Sequence, residues 1–573
     1  MLMCDCKIQI IGIYWHNIYL HVKLQGPDLE KRQFAVASDL DRYVYPVDAF
    51  DPSTNELVLN ITNLGHQKML DNGAWFVKYK NEDYEAQRDE YEKQRAAWSD
   101  GAEEGEEKPS PPREWLHIPI TFEVGYSLKD MDKVYRYSGT NYAYLFTFAA
   151  VAKKEELVCS FTCTYMVKTN HPRKRYFHIE SPHFWARQKK RLIWFLECVI
   201  NGIYQIVSHL TPKNGTRVLL MSETRAPITG NLKALDDRIR ERGLDKKTLK
   251  MSYWFKKTLA VNRFKILLIW LRLAFITARQ DYIFVDDYCP FFNNVKVNPR
   301  TKLIQVWHAG VGFKSVGYAR FGTKGTPKPF HCCHRQYDYA IVGGESLRDV
   351  YAEVFGIDRE NCLPYGLMRL DNYLAPERVE NFRAKFYEEH PDFAHKKIIL
   401  FAPTFRGASQ RTSYYPYDII EWQGIYEMCG DEYLFLIKQH PFIKAPVPID
   451  PAYADRIIDF SDFPDINELF YVTDILITDY SSNIYEFSLH RKPIIFFVFD
   501  KEEYELTRGV HRTIDEFAPG KICKTFDEVA MAILQNDFDI EKTYQFVRDN
   551  FDSSEGLSSD KVIDNIILKK FSR

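Results

Sequence analysis

Residues 475–489 read ILITDYSSNIYEFSL, and this stretch decides the fold class. The four residues Ile475–Thr478 are apolar or β-branched and predict a buried strand. The polar residues Asp479–Ser482 follow at once, and apolar residues then recur at Ile484 and Phe487 with helical spacing. A strand that leads through a polar turn into a helix is the repeating unit of α/β proteins with a parallel sheet.

The same unit recurs along the chain from Arg217 onward. Apolar runs that predict further strands alternate with helical patterns, and these runs are Arg217–Met221, Tyr282–Val285, Thr301–Val306, Ala340–Val342, Ile398–Phe401, Leu434–Lys438 and Pro493–Val498. An alternation over roughly 350 residues is too long for one open sheet of ordinary size. We therefore predict two Rossmann-like domains that face each other across a cleft.

The N-terminal part of the chain predicts a β-rich domain instead. Its short strand-like runs are rich in Ile, Val, Tyr and Phe, and they span residues 7–14, 18–24, 33–37, 42–47, 56–61, 74–79, 116–124, 133–137, 142–149 and 156–167. We expect an antiparallel β-sandwich. The dense charges of residues 81–113 predict a helical or mobile solvated insertion into it.

These changes in composition and in hydrophobic pattern give the predicted domain boundaries. The β-rich accessory domain takes residues 1–168, and the first Rossmann-like domain takes residues 185–367. The second Rossmann-like domain takes residues 368–545, and a C-terminal helix or tail takes residues 546–573.

Composition excludes several classes of protein. The chain has 573 residues, with 76 Lys and Arg against 78 Asp and Glu, so its formal net charge is −2. Because nucleic-acid-binding proteins more often carry a strong basic excess, we predict no nucleic-acid partner. Eleven cysteines without a spaced framework predict reduced thiols. We predict no secretory signal and no membrane-spanning helix, since Lys265 and Arg272 interrupt the most apolar stretch, Phe264–Ala278.

Polar residues cluster just beyond the carboxyl ends of four predicted strands. His308 follows one strand, Thr404 and Arg406 a second, His440 a third and Asp479–Ser482 a fourth. Open α/β sheets bind their ligands at that edge. Serines at a helix start offer hydroxyls and free N–H groups to a phosphate, and arginine adds charge-assisted hydrogen bonds. An N-cap serine or a surface arginine is the plainer explanation of each residue alone, but four such loops together favour a phosphate site.

The two histidines belong to different predicted domains, and in this arrangement they face one another across the cleft. Histidine titrates near neutrality and serves as a general base or as a partner for phosphate. A purely structural histidine is the alternative for His308 and for His440. Their position in loops directly after strands favours a functional role.

Two further patterns have competing explanations. The sequence His331-Cys332-Cys333-His334 resembles a metal site, but four consecutive side chains converge poorly on one tetrahedral ion, and we predict no metal. The helical segments Ala186–Leu210 and Tyr253–Ala278 mix apolar and aromatic residues with cations. That mixture is typical of helices lying on an anionic membrane, and it also fits core helices of the first Rossmann-like domain.

The motifs after the strands resemble those of the CDP-glycerol glycerophosphotransferase family, the teichoic acid primases and polymerases. The matching motifs occur in the family's order from about residue 215 to about residue 545, and they are Trp307–Gly310, Ala402–Arg406, Lys438–Pro441, Thr478–Ser482, Lys492–Phe496 and Tyr504 through Arg508-Gly509 to Pro519-Gly520. Weaker landmarks are Asn231–Leu235 and Tyr365–Asp371. The chain departs from the family at Trp307–Lys314, where the family usually has Trp-His-Gly-Thr-Pro-Leu-Lys, so the resemblance does not specify the acceptor.

The resemblance implies a GT-B-like fold and the transfer of an alditol phosphate. The implied donor is CDP-glycerol or CDP-ribitol, with glycerol phosphate the expected unit, and CMP is released. The implied acceptor is a hydroxyl of a lipid-linked polyol phosphate or glycan. The enzyme would then be cytoplasmic, peripheral on the inner face of the cell membrane, and would bind an anionic membrane surface.

The resemblance also assigns roles to residues of this chain, with acceptor binding on the first Rossmann-like domain and donor binding on the second. His308 would act as general base on the acceptor hydroxyl, and His440 would stabilise charge at the donor diphosphate. The implied donor-binding residues are Thr404, Arg406, Asp479, Ser481, Ser482, Arg508 and Gly509. We expect no cofactor.

Two other functions fit part of the pattern. A nucleotide-sugar glycosyltransferase with the same two-domain architecture would share the phosphate site at the strand ends. A non-catalytic assembly scaffold is the second alternative, and the presence of both histidines and both serines disfavours it.

Overall fold

The computed structural model describes residues 8–47, 49–64, 69–70, 72–101, 110–136, 142–153, 156–168, 184–256, 263–307, 316–320, 327, 332–407, 412–508, 512–551 and 556–570. The chain forms two compact units. The first unit comprises Met1–Leu192, Gly317–Arg335 and Phe355–Asp358, and the second comprises Ile193–Val316, Gln336–Val354 and Arg359–Arg573.

The first unit contains two antiparallel sheets. Its strands are β1 (Gln9–His16), β2 (Tyr19–Gln25), β3 (Phe34–Ser38), β4 (Val44–Val47), β5 (Phe50–Asp51), β6 (Glu56–Asn60), β7 (Gly73–Lys80), β8 (Trp115–His117), β9 (Lys133–Arg136), β10 (Tyr142–Lys153) and β11 (Glu156–Lys168). One sheet has the order β1-β2-β6-β5, and the other has the order β4-β3-β7-β11-β10-β9 with β8 paired to β7. In β2, Leu20, Val22 and Leu24 are buried in alternation with more exposed residues, which is the pattern of a strand with one face on a core.

Two local predictions in this unit have definite outcomes. The charged insertion contains helix α1 (Tyr84–Gly101), as the helical alternative predicts. The prediction of one strand over residues 116–124 is wrong, because the chain leaves β8 and enters helix α2 (Phe122–Ser127). The Thr121 hydroxyl accepts a hydrogen bond from the Val124 amide over 3.2 Å, and this N-cap starts the helix.

The second unit contains two parallel sheets of six strands each. The first parallel sheet has the order β13-β12-β14-β15-β16-β17, and its strands are β12 (Arg217–Ser222), β13 (Lys250–Phe255), β14 (Tyr282–Val285), β15 (Lys302–Gln305), β16 (Tyr339–Ile341) and β17 (Cys362–Leu363). The second parallel sheet has the order β20-β19-β18-β21-β22-β23, and its strands are β18 (Lys397–Phe401), β19 (Tyr433–Ile437), β20 (Ile457–Asp459), β21 (Ile475–Thr478), β22 (Ile494–Phe497) and β23 (Lys521–Cys523).

Strand β18 shows why these strands have continuous apolar sequences. Ile398 and Leu400 are buried in one core cluster, whereas Ile399 and Phe401 are buried in the cluster on the other face of the sheet. Both faces of the strand are therefore covered, as in doubly wound α/β folds. The prediction of a mixed α/β protein with parallel sheets is confirmed.

The helices that follow α2 lie before, between and after these strands. They are α3 (Phe184–Leu210), α4 (Gly230–Glu241), α5 (Leu244–Lys247), α6 (Arg263–Ala278), α7 (Arg348–Phe355), α8 (Pro376–Glu389), α9 (Trp422–Cys429), α10 (Ile466–Leu469), α11 (Asn483–Ser488), α12 (Lys501–Arg508), α13 (Ile514–Phe517), α14 (Phe526–Gln535), α15 (Ile540–Asn550) and α16 (Ser558–Val562). Within the residues that the structure describes, none of the helices combines the length and apolar character needed to cross a bilayer.

The C-terminal segment returns to the first parallel sheet. Val562, Ile563 and Ile567 are buried in the core of that sheet, against residues of α4 and β12. Arg238 donates to both carboxylate oxygens of Asp560 over 2.9 and 2.7 Å. The segment therefore completes the core of a sheet whose last strand lies far earlier in the sequence.

Candidate functional site

The candidate site lies at the carboxyl edge of the second parallel sheet, where the strand order reverses. In the order β20-β19-β18-β21-β22-β23, the strand numbers decrease over the first three strands and increase over the last three. The reversal falls between β18 and β21, and open α/β sheets bind ligands in the crevice at such a switch point. The loops that carry Thr404, Arg406 and Asp479–Ser482 leave from these two strands.

The carboxylate of Asp479 joins these two loops. Its Oδ1 accepts hydrogen bonds from the backbone amides of Thr404 and Tyr480, each over 2.7 Å. One residue earlier, the Thr478 hydroxyl donates to the carbonyl oxygen of Ala402 over 2.8 Å. Because Asp479 is 1% exposed, its side chain fixes the shape of the crevice from below its surface.

Arg406 lies between two strand-end carboxylates. Its Nη1 donates to Asp479 Oδ2 over 2.9 Å and to the Thr404 carbonyl over 2.7 Å. Its Nε and Nη2 form a fork to Asp500 over 2.6 and 2.9 Å. These contacts use four of the five N–H donors of the guanidinium. Burial alone would lower the pKa of Arg406, but the charges of Asp479 and Asp500 outweigh it and raise this pKa well above its usual value.

Aromatic rings surround the same guanidinium. The centroids of Tyr415, Tyr480, Phe499 and Tyr504 lie 5.2–5.6 Å from its central carbon. Tyr480 and Tyr504 also stack on each other at 3.6 Å with an interplanar angle of 6°. Since Tyr504 belongs to α12, which ends at Arg508, this stack ties that helix to the loop after β21.

His440 lies beside the loop that carries Arg406. The centroid of its ring is 4.7 Å from that of Phe405 and 4.7 Å from that of Phe442. Its Nδ1 accepts a hydrogen bond from the Phe442 amide over 3.2 Å. An acceptor at Nδ1 assigns the proton of the neutral imidazole to Nε2, which makes Nε2 a donor suited to a phosphate oxygen.

The two serines at the start of α11 have different roles. The Ser481 hydroxyl accepts a hydrogen bond from the Asn483 amide over 3.3 Å, so it stabilises the turn. Ser482 occupies the N-cap position, but its side chain does not cap the helix. Both serines are half-buried. Ser482 is thus the one whose hydroxyl is better placed to meet a ligand.

The structure brings five of the nine predicted site residues to this edge together with Asp500, and His440 lies beside them. The five are Thr404, Arg406, Asp479, Ser481 and Ser482. His308 and Gly509 lie outside the described residues, and so does the side chain of Arg508. The assigned roles in donor binding and catalysis stay predictions.

Sequence reasoning missed two residues, one at this edge and one in α4 beside the first parallel sheet. Asp500 follows the predicted strand Pro493–Val498, so the rule that singled out Asp479 applies to it equally. Asn231 was noted only as a landmark, and its side-chain amide donates to the carbonyl oxygens of Val306 and Trp307 over 2.8 and 2.9 Å. No local signal in the sequence reveals that contact, because the partners are about seventy-five residues apart.

The cysteines of the described chain are free thiols. In the first unit, the ligand atoms of Cys332, Cys333 and His334 lie within 4.8 Å of one another, and all three residues are buried. Burial lowers the pKa of His334 to about 3, with Arg335 as a second cause. Zinc takes four ligands, and this group has three members among the described residues. The absence of a metal stays a prediction.

A cavity of about 410 Å³ opens at the C-terminal end of α3. Its lining residues are Gln205, Ile206, His209, Leu210 and Asn298. It includes none of the predicted site residues. The chemistry of the strand ends therefore locates the candidate site, and the size of this cavity does not.

Comparison with known families gives a match over residues 203–568 to CDP-Glycerol:Poly(glycerophosphate) glycerophosphotransferase. The chain belongs to this family. The predictions of the family and of a transferase are therefore confirmed. The predicted reaction, transfer of an alditol phosphate from a CDP-activated donor in teichoic acid synthesis, is confirmed at the level of the family. The choice between glycerol and ribitol stays open at this level.

Two relatives within the glycerophosphotransferase family illustrate the range of coverage. The chain is 36% identical to a teichoic acid poly(ribitol-phosphate) polymerase of Bacillus spizizenii over 63% of its own length and 58% of that protein. It is 30% identical to the teichoic acid ribitol-phosphate polymerase TarL of Staphylococcus aureus over 98% of its own length and 100% of that protein. The second match runs end to end, and it includes the β-rich N-terminal region.

A solved structure supports the fold of this family member. The wall teichoic acid polymerase TagF is 19% identical, and the superposition covers 68% of this chain and 99% of that chain with a TM-score of 0.50. At this identity the likeness bears on the fold alone. It agrees with a mixed α/β protein built from several sheets.

Proposed function

We propose that this chain transfers ribitol phosphate from CDP-ribitol to the growing end of a polymeric teichoic acid acceptor, with release of CMP. The observation that carries the choice of ribitol is the end-to-end match with TarL, whose name specifies ribitol phosphate. Glycerol phosphate, the unit expected from the sequence, is the alternative. CDP-glycerol and CDP-ribitol present the same diphosphate to the strand ends, so the geometry of the site is compatible with either donor.

The reaction assigned to the site is a displacement at phosphorus. The acceptor hydroxyl oxygen attacks the β-phosphorus of the donor, and the bond from that phosphorus to the oxygen bridging to CMP breaks, so the electron pair leaves with CMP. His308 takes the hydroxyl proton as general base. His440 donates from Nε2 to the diphosphate, where negative charge develops on the leaving oxygen. The Ser481–Ser482 turn and Arg508 hold the phosphates.

The finer architecture follows from the same hypothesis. The two parallel sheets are proposed to face each other as in a GT-B fold, with acceptor binding on the first and donor binding on the second. Support comes from Arg369, which follows β17 of the first sheet and forms an ion pair with Glu486 in α11 of the second. For the first unit we propose a sandwich of the two antiparallel sheets, supported by a hydrogen bond from Ile10 of β1 to Pro119 and by the bridge between Pro119 and Val158 of β11.

Helix α3 supports a peripheral contact with an anionic membrane. Leu192, Phe195, Val199, Ile206 and Leu210 recur at helical spacing, and each is 37–76% exposed. Basic residues precede this apolar stripe in the sequence, where they can meet anionic headgroups. A membrane contact would place the active site next to a lipid-linked acceptor on the cytoplasmic face.

The proposed function is tested by CMP release from CDP-ribitol and CDP-glycerol in parallel, with a membrane-lipid extract as acceptor. Acceptor-dependent CMP from CDP-ribitol, at least tenfold faster than from CDP-glycerol, is the expected result. CMP from CDP-glycerol alone would replace ribitol by glycerol. CMP from neither donor, together with UDP from a panel of nucleotide sugars, would overturn the proposal in favour of a glycosyltransferase.

A further inference from the structure

Trp307 adopts an unusual backbone conformation directly before His308. Its φ angle is +48°, in the left-handed region that bulky residues rarely enter. That conformation is unfavourable for an L-residue, because it brings the Cβ atom too close to the following carbonyl oxygen. The surroundings of Trp307 must therefore hold it there, and two buried side-chain amides do so.

The first amide belongs to Gln305, the last residue of β15. Its Oε1 accepts a hydrogen bond from the Trp307 amide over 2.8 Å, and its Nε2 donates to the Tyr337 hydroxyl over 2.9 Å. The second amide belongs to Asn231 in the first turn of α4, which donates to the carbonyl oxygens of Val306 and Trp307. Both polar groups of the Trp307 backbone are thereby bonded, and Asn231 is 1% exposed.

The contacts of Asn231 continue toward the second sheet. Its Oδ1 accepts a hydrogen bond from the Arg369 amide over 3.0 Å. The Arg369 guanidinium pairs with Glu486, which is 5% exposed and lies in α11 directly after the Ser481–Ser482 turn. A continuous row of buried and partly buried contacts therefore runs from the residue before His308 to the helix after the two serines.

We infer that Asn231 is a positioning residue that fixes the backbone of Trp307, directly before His308 in the sequence, and that Arg369 and Glu486 set this point of the chain in register with the Ser481–Ser482 turn. The inference rests on the proposed function, in which His308 serves the acceptor and the serines serve the donor. In-line transfer depends on the distance between these two groups, and a misplacement of about 1 Å can cost about a hundredfold in rate. Asn231 itself touches neither substrate in this assignment.

If Asn231 had a purely structural role, its substitution would lower stability and leave turnover per folded molecule unchanged. Asn550 provides the matched control, because it is 3% exposed and its amide donates to the Phe546 carbonyl of its own helix over 2.8 Å. Asn550→Ala should lower stability and leave turnover per folded molecule unchanged. Asn231→Ala and Asn231→Asp should instead lower kcat by roughly ten- to a hundredfold, with KM for CDP-ribitol within about threefold of wild type.

The row of contacts is tested by a double-mutant cycle. Glu486→Gln preserves the size of the side chain and removes its charge. If Asn231 and Glu486 act through the same row, the double variant Asn231→Ala/Glu486→Gln should have a kcat close to that of the slower single variant. A kcat equal to the product of the two separate losses would overturn the link between the loops.

Hydrogen exchange of the peptide that spans residues 303–316 gives a readout that needs no turnover. Asn231→Ala should speed exchange in this peptide at least severalfold, whereas Asn550→Ala should not. Unchanged exchange in Asn231→Ala would overturn the positioning role, whether or not the enzyme releases CMP. A failure to release CMP from either donor would contradict the proposed function alone. If Asn231→Ala does not fold, Asn231→Asp and Glu486→Gln are compared in the same peptide, and wild-type exchange in both variants overturns the inference.

Discussion

The Nη1 of Arg406 lies 2.9 Å from the Oδ2 of Asp479, and this contact joins the ends of the two strands that flank the switch point. The two residues are 9% and 1% exposed at their side chains, so the pair is almost withdrawn from water. The resemblance assigns both residues to donor binding. In the folded chain they bind each other, and together with Asp500 they give the crevice its form.

The first prediction concerns this ion pair. Arg406→Met would leave Asp479 and Asp500 without their shared cation, and we expect the free energy of unfolding to fall by about 3–5 kcal/mol. Urea denaturation measures the loss. Arg88→Met is the control, since its partners Glu85 and Asp89 are each 71% exposed and the loss should be about 1 kcal/mol at most. Equal losses in the two variants would contradict a buried structural role for Arg406.

The second prediction separates the two serines. Ser481→Ala removes the acceptor of the Asn483 amide and should cost about 1 kcal/mol of stability. Ser482→Ala should leave stability within about 0.5 kcal/mol and raise KM for the CDP donor about tenfold, as expected for the loss of a hydrogen bond to a charged group. Thermal unfolding and initial rates of CMP release report the two effects. A stable Ser482→Ala variant with the wild-type KM would exclude this serine from the donor site.

The third prediction concerns the tautomer of His440. Because Nδ1 accepts from the Phe442 amide, Nε2 carries the proton of the neutral ring, and the proposed function has this N–H donate to the diphosphate. His440→Ala should lower kcat at least about a hundredfold. His440→Gln should lose less, since its terminal amide offers an N–H donor at similar reach. Similar turnover of wild type and both variants would remove His440 from the mechanism.

The fourth prediction is a dependence of stability on pH. Burial lowers the pKa of His490 to about 4, with the charge of Lys492 as a second cause, and its Nε2 lies 3.0 Å from the Tyr373 hydroxyl. In the unfolded chain this histidine has an ordinary pKa near 6.5. Between about pH 6.5 and pH 4, the unfolded chain therefore binds a proton at His490 that the folded chain does not bind. Stability is lost as the pH falls through this window, by at most about 3 kcal/mol for this group.

The measurement is the free energy of unfolding at pH 7 and pH 5 for wild type and His490→Gln. The difference between the two pH values should be smaller in the variant, because one proton-binding group of the unfolded state is gone. His395→Gln serves as the control, since this histidine is exposed. A variant with the wild-type difference would show that His490 does not cause the loss.

The fifth prediction tests the exposed apolar side chains of α3, which include Trp194 beside the apolar stripe. Trp194→Ser/Phe195→Ser should reduce flotation with phosphatidylglycerol-containing vesicles at least about tenfold, because two aromatic side chains that are 64% and 56% exposed no longer enter the lipid. Met531→Ser/Leu534→Ser removes two exposed apolar side chains of α14 and should leave flotation unchanged. Equal flotation of the two double variants would contradict a membrane role for α3.

The strands of the second parallel sheet were largely predictable, and their physical environment explains why. The observed β21 has the predicted bounds Ile475–Thr478, and β18 begins one residue before the predicted Ile398. Strands covered on both faces are continuous apolar runs, which local sequence reveals. Helix α2 was missed because its start depends on one hydrogen bond to Thr121, within a stretch that otherwise has the composition of a strand.

The site was predictable in its position and less so in its internal contacts. The rule for strand ends brought Thr404, Asp479 and the two serines to one edge. The partners of Arg406 could not be deduced, because Asp479 and Asp500 lie 73 and 94 residues further along the chain. The strand order determines such long-range pairs, and no local sequence pattern specifies the order of strands within a parallel sheet.

The return of the C-terminal segment has a consequence for how the protein is made. The last strand of the first parallel sheet ends at Leu363, whereas Val562, Ile563 and Ile567 complete the core of that sheet. At about 5–20 residues per second, a ribosome needs roughly 10–40 s to translate the interval. During that time the nascent sheet exposes the apolar surface that these residues later cover, and a chaperone can occupy it. The second sheet can fold on the ribosome before the first is complete, which reverses the order in which they are translated.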